Sequence, residues 1–215
     1  ADLVAAVSVP SGVPASSAGP GGRVSVPAVV SLPEGLGTPV VSAPGVVTPG
    51  EVRELIPNGF AFIPSVPDPN DPRVQPPLPG DIEIIAAYLE TQAAYQEVLT
   101  QNPTPATPSP RLAASLLDGG ERVTAVLESR AAAGQYRDLD QGVVWRPIVI
   151  ADPRSDTEAF VFDCLLDGSV LRNSDGSLAD GQVEGVKFFP QVARIVLVDG
   201  RWITDRLSSE DRACA

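Results

Sequence analysis

Residues 185–207 read GVKFFPQVARIVLVDGRWITDRL, and the fold is read outward from them. A long apolar run, residues 192–198, meets Asp199-Gly200, and a second β-rich run, residues 201–207, follows. Asp-Gly between two such runs is a hairpin signal, because a type I′ turn needs positive φ at both central residues. Trp202 and Ile203 open the return strand with large apolar side chains. The hairpin is expected at the centre of a curved antiparallel sheet, with Pro190 bending its first strand.

Upstream lie further strand patterns. Residues 167–182, DGSVLRNSDGSLADGQ, are Gly- and Asp-rich and predict a strand end and a long hairpin loop. Residues 157–166, TEAFVFDCLL, place Phe160, Phe162, Cys164 and Leu166 on one face and Ala159, Val161, Asp163 and Leu165 on the other. A strand apolar on both sides is expected to be central and covered on both faces. Residues 142–151, GVVWRPIVIA, form another strand pattern, with Pro147 marking a bulge or an edge.

Helices precede these strands. Asp81 is a good N-cap and Glu83 favours the first turn, so a helix is predicted from Asp81 to about Thr100. Ile84, Ile85, Tyr88, Tyr95 and Val98 recur at helical spacing, which puts Tyr88 and Tyr95 on nearly one face. Four prolines, from Pro103 to Pro110, break the helix. Short helices are then predicted over residues 111–117 and 121–133, with Gly134 as the second one's C-cap.

The first eighty residues differ in kind. They hold 16 of the 23 prolines, which excludes long helices there. VSVP occurs at residues 7–10 (Val7, Val9) and 24–27 (Val24, Val26). VVSLP at 29–33 (Val29, Val30) is echoed by VVSAP at 40–44 (Val40, Val41) and VVTP at 46–49 (Val46, Val47). Valine favours extended backbone, and the residue before proline is pushed to β or polyproline II. These residues read as an extended arm with short strands, lying on its own domain, on a neighbouring subunit, or serving as a spacer. One short helical turn is predicted at residues 51–55. The domains are therefore set at 1–80, the arm, and 81–215, an α+β domain.

Composition narrows the function classes. The net charge is −12, which repels phosphate backbones and disfavours both nucleic-acid binding and docking on anionic lipid. Histidine is absent, so Ser-His-Asp and Cys-His nucleophile systems and histidine metal sites are excluded. No apolar run reaches the length of a bilayer span. Methionine is absent and the chain opens on Ala1, which reads as a product of signal-peptide removal. The two cysteines, Cys164 and Cys214, are expected to pair in an oxidising compartment, the alternative being two free thiols.

The helix IIAAYLETQAAYQEV (84–98), the strand VFDC (161–164) and the hairpin IVLVDGRWIT (195–204) together resemble the NTF2-like superfamily, in the exported form found in high-GC bacteria. The resemblance covers about residues 81–215 and nothing before them. It implies an α+β cone, three N-terminal helices on a curved antiparallel sheet of about four strands. It also implies a pocket at the mouth of the cone. In isomerase-like members a tyrosine of the first helix and a carboxylate of a strand face that pocket, which maps here to Tyr88 or Tyr95 with Asp163. The structural alternative is that Asp163 pairs with Arg146 or Arg194 and that the tyrosines are core aromatics. Asn173-Ser174-Asp175-Gly176 lacks the offsets and terminal glutamate of a calcium loop and reads as surface turns. No cofactor is implied.

The expected role is an exported, non-enzymatic envelope or surface protein. Its arm would pack on other copies of itself or on another envelope protein. The alternative is a small-molecule binder or isomerase-like protein using the cone pocket.

Overall fold

A computed structural model describes residues 48–67, 76–117, 120–209 and Cys214. The arm valines Val7, Val9, Val24, Val26, Val29, Val30, Val40, Val41, Val46 and Val47 all lie outside the described residues.

The first described element is a hairpin, β1 (Val52–Ile56) and β2 (Gly59–Phe62). Pro57 and Asn58 form its corner, with Asn58 at φ 61, the positive φ that a turn of this kind demands of its second central residue. The helical turn expected at residues 51–55 is thus a strand. Next come α1 (Asp81–Leu99), α2 (Pro110–Ser115) and α3 (Glu121–Ala132). Strands β3 (Gln135–Asp138), β4 (Val143–Trp145), β5 (Pro147–Ile150), β6 (Glu158–Asp167), β7 (Val170–Asn173), β8 (Lys187–Val198) and β9 (Arg201–Ser209) complete the chain order.

Seven strands form the main sheet, in the order β1-β2-β4-β6-β8-β9, with β5 also paired to β6. Strands β3 and β7 make a separate antiparallel pair. All main-sheet pairs are antiparallel except β2 with β4, which run parallel from Gly59↔Val143 to Ala61↔Trp145. This overturns the NTF2-like cone. Sheet predominates over helix among the described residues, the sheet is mixed, and its strands begin before the first helix rather than after the third. Pro57-Asn58 turns the chain back between β1 and β2, and the Val143 N–H donates to Asn58 O at 2.9 Å, tying the hairpin to β4.

The Asp199-Gly200 turn has φ 50 and φ 76, as a type I′ turn requires. Its two strands, β8 and β9, lie at one end of the sheet, so β9 is an edge strand rather than the centre. Strand β6 is the central one, paired with β4 and β5 on one side and with β8 along ten positions on the other.

The helix α1 lies against this sheet. Its Ile84, Ile85, Tyr88, Leu89 and Ala93 share one core cluster with Ala61, Ile63, Val143, Trp145, Ala159, Val161, Leu165, Ala193 and Ile195. A second cluster ties α1 to α2 and α3 through Ala94, Val98, Leu99, Leu112, Leu116, Val123 and Leu127. The two faces of β6 are unequal. Ala159, Val161, Asp163 and Leu165 are buried beneath α1, whereas Phe160, Cys164 and Leu166 are only half-buried on the other side. On that outer side Cys164 is bonded to Cys214, their Cα atoms 5.7 Å apart across 50 residues of chain.

Closing a loop of that length restricts the unfolded chain. Cys214→Ser is expected to lower unfolding free energy by about 2–4 kcal/mol, read from urea denaturation. Reductant should lower the stability of the parent chain similarly and leave the variant unchanged.

Candidate functional site

The interior contact between α1 and the sheet is partly polar. Tyr88, Gln92 and Gln96 follow one another at i, i+4 and i+8, so they stack along one face of the helix. All three are buried, Tyr88 at 0%, Gln92 at 2% and Gln96 at 3% exposure. They form a polar spine inside a largely apolar helix–sheet contact, whose other buried polar pair is Thr91 Oγ1 with Thr204 Oγ1 at 2.8 Å.

Asp163 sits at one end of this spine, at 0% exposure on the inner face of β6. Its Oδ1 accepts from the Arg146 backbone N–H at 2.8 Å, and its Oδ2 accepts from the Tyr88 hydroxyl at 2.8 Å. The Arg146 amide is available because the Pro147 imide that follows it interrupts the strand, separating β4 from β5. The Arg146 guanidinium, whose charge also lowers the Asp163 value, makes hydrogen bonds of its own. It donates to Cys164 O through Nε at 2.9 Å and through Nη2 at 2.6 Å, and it lies 5.4 Å from the Phe188 ring centre. Arg194 is engaged elsewhere, with Glu158 and Asp205. The partner of Asp163 is therefore the Arg146 backbone, together with Tyr88.

Burial pushes the Asp163 carboxyl up to about 7, against a lowering by the Arg146 amide and the Tyr88 hydroxyl. Burial, and then the Asp163 charge, push the Tyr88 hydroxyl well above the ordinary phenol value. The Tyr88 hydroxyl also reaches Gln191 Oε1 at 3.0 Å, and Gln92 Nε2 donates to the same oxygen at 2.6 Å. A neutral Asp163 can donate to Tyr88, which then donates to Gln191. An ionised Asp163 draws the Tyr88 proton back and leaves Gln191 to Gln92 alone. The network is satisfied in either state and is a proton-sensitive chain.

That chain ends at a cavity. Gln92 and Gln191 line a cleft of about 350 Å³, with Tyr95, Gln96, Arg130, Arg137, Trp145, Asp167, Lys187 and Phe189 among the other wall residues. Tyr88 and Asp163 are not on its wall. The structure thus separates the residues named from the sequence. Tyr88 and Asp163 are bonded together in the sealed core, and Tyr95 belongs to the cavity beyond them. Such separation does not suit proton transfer by Asp163 to a bound molecule, which needs hydrogen-bond reach.

Two wall residues carry unpartnered polar atoms. Trp145, at 0% exposure, has no partner for its Nε1, and Gln96 has none for its Oε1. Each such atom costs roughly 1–3 kcal/mol when left unpaired in the interior. Arg137 donates to Ser169 Oγ at 2.6 Å and to Asp167 Oδ2 at 2.8 Å, so the one acidic wall residue is already paired. Sequence reading missed Gln92, Gln96, Gln191 and Trp145. The signal for Gln92 and Gln96 was their helical spacing from Tyr88, which places amides where a core helix should be apolar; Gln191 and Trp145, on β8 and β4, carried none.

A larger groove of about 670 Å³ lies on another side, walled by Ile63, Pro77, Ile85, Ile148, Ile150 and Phe162. Its charged residues, Asp81 and Arg154, form an ion pair with each other. It offers apolar surface without a free polar group to orient a ligand, so the smaller cleft is the candidate site. Among the described residues no cluster of His, Cys, Asp and Glu is suited to a metal ion. No described helix is long and apolar enough to cross a membrane.

No family model matches the chain, and none of the curated proteins matches it. Among solved structures, the crystal structure of the intermembrane space region of the chloroplast protein ARC6 is similar at 15% identity. That likeness covers 55% of this chain and 90% of the other, with a TM-score of 0.38, and carries no argument about role.

The sign of the pH dependence follows from Asp163. Its folded-state value is raised above the unfolded one, so the unfolded chain binds fewer protons between about pH 4 and pH 7. Stability therefore falls as pH rises through that window, as far as this group is concerned. Asp163→Asn keeps the shape and cannot ionise. The variant should gain stability relative to the parent as pH goes from 5 to 8, measured by urea midpoints at each pH. A difference that stays constant with pH would show that Asp163 does not titrate in that window.

Proposed function

We propose that this chain is an exported, non-enzymatic binding module whose cleft between α1, α3 and the sheet receives a small polar molecule. The observation that carries the reading is the pair of unpartnered buried atoms, Trp145 Nε1 and Gln96 Oε1, in residues of that cleft's wall. Gln141 Oε1 is also unpartnered but lies off this wall; a ligand carrying the complementary groups would satisfy the two wall atoms once the wall, which buries them in the empty protein, opens to it. The Cys164–Cys214 disulfide supports an oxidising compartment outside the cytosol. The aromatic side chains Tyr95, Trp145 and Phe189 give the wall an apolar surface beside its polar groups.

A residue kept for binding at the expense of stability has a recognisable signature. Replacing Gln96 by Leu removes an unsatisfied buried acceptor and is expected to raise the stability of the empty protein by about 1 kcal/mol. The same variant should lose binding. Both are read on full-length protein, the first by urea denaturation. For the second, the indole N–H resonance of Trp145 is followed while a library of small polar fragments is added. Fragments that shift Trp145 but not Trp202 in the parent, and neither in Gln96→Leu, are the expected result. A destabilised Gln96→Leu, or a Trp145 resonance that no fragment moves, would overturn the reading.

A further inference from the structure

The chemical class of the ligand can be narrowed from the charges around the cleft. The chain as a whole carries 27 acidic against 15 basic residues. The cleft wall reverses that balance, with Arg130, Arg137 and Lys187 against Asp167 alone. Asp167 is spent on Arg137, and it also accepts from the Ser169 N–H at 2.9 Å and from the Ser169 hydroxyl. Arg130 donates to the neutral Gln135 Oε1 at 3.1 Å and has no acidic partner among the described residues. Lys187 is exposed at the rim, and no carboxylate pairs with it among the described residues. Positive charge is thus left over at this cleft in a strongly acidic protein.

Tyr95 senses the same field. Burial raises its hydroxyl above the usual phenol value, while Arg137, Arg130 and Arg122 all act to lower it. The Tyr95 phenol thus lies in the field of three guanidinium groups, two of them on the cleft wall. A cleft of this sign, walled by low-dielectric aromatic surface, concentrates anions.

Resting on the binding reading above, we propose that the ligand is a small organic carboxylate with a planar apolar body. Its negative charge would be matched by Arg130 and Lys187, Arg137 being paired with Asp167. Its body would lie against Tyr95, Trp145 and Phe189, and a further polar group would meet Trp145 Nε1 or Gln96 Oε1. The volume of about 350 Å³ admits a compact molecule and excludes a polymer enclosed along its length. A charge-assisted hydrogen bond to a carboxylate is stronger than one to its neutral amide, which makes the anion separable from its isostere.

The test uses full-length protein and matched probes: benzoate, 4-hydroxybenzoate and indole-3-carboxylate, each beside the corresponding amide. Binding is measured by calorimetry and by the Trp145 indole resonance. The carboxylates should bind at least about tenfold more tightly than their amides. That preference should shrink when salt is raised from about 50 to about 500 mM. Lys187→Gln, at an exposed rim position, should weaken carboxylate binding by about threefold or more and leave the amides unchanged. Lys187→Glu should weaken it further, while a native urea midpoint confirms the fold. Carboxylates and amides that shift Trp145 with equal affinity would overturn the anion assignment and leave the binding reading standing. If no probe of either kind moves Trp145, the carboxylate assignment falls, and the fragment library decides the binding reading on its own.

Discussion

Asp163 is buried where α1 crosses the central strand, and the arrangement around it depends on how that carboxyl is satisfied. The Arg146 amide can reach it because Pro147 interrupts the strand pairing, and the Tyr88 hydroxyl reaches it from α1. Helix, central strand and the β4–β5 junction therefore meet at one group. Breaking a buried network of this kind leaves a desolvated polar atom behind, so its members constrain one another's positions. The apolar contacts of Ile84, Ile85, Leu89 and Ala93 with Val161, Leu165, Ala193 and Ile195 provide the bulk of the burial. The polar spine selects the register in which they pack.

From that point the interior grades outward. Asp163 and Tyr88 are sealed, Gln92 and Gln191 belong both to the network and to the cleft, and Gln96 and Trp145 carry the atoms left without partners. A binding event at Gln191 or Gln92 would alter the hydrogen bonds offered to Tyr88. The same contacts thus connect the cleft to a group whose protonation changes near neutral pH.

Part of this was legible in the sequence. Asp199-Gly200 placed the β8–β9 hairpin, and Asp81 with the prolines from Pro103 placed the ends of α1 to within a residue or two, although its N-cap is Gly80 rather than Asp81. The pairing of Cys164 with Cys214 followed from having two cysteines and signs of export. The first hairpin was missed because its turn, Pro57-Asn58, sits in a proline-rich stretch in which residues 51–55 read as a short helical turn. The parallel pairing of β2 with β4 joins residues more than eighty apart, and no local pattern announces such a partner. That pairing is what the NTF2-like expectation lacked. At the site, Tyr88, Tyr95 and Asp163 were named only through the NTF2-like resemblance, with a core role as the alternative. Their division into a sealed core and an open cleft depends on packing, which spacing along one chain does not reveal.

The central claim is that Asp163 is held in the core with its carboxyl near neutrality, linked through Tyr88 to the cleft. The direct measurement is a carbon-13 titration of the Asp163 side-chain carboxyl in the folded protein, assigned with Asp163→Asn. A midpoint near 7 is expected, accompanied by a change at the Gln92 and Gln191 side-chain amides over the same range. A midpoint near the ordinary aspartate value of about 4, with those amides silent, would contradict it.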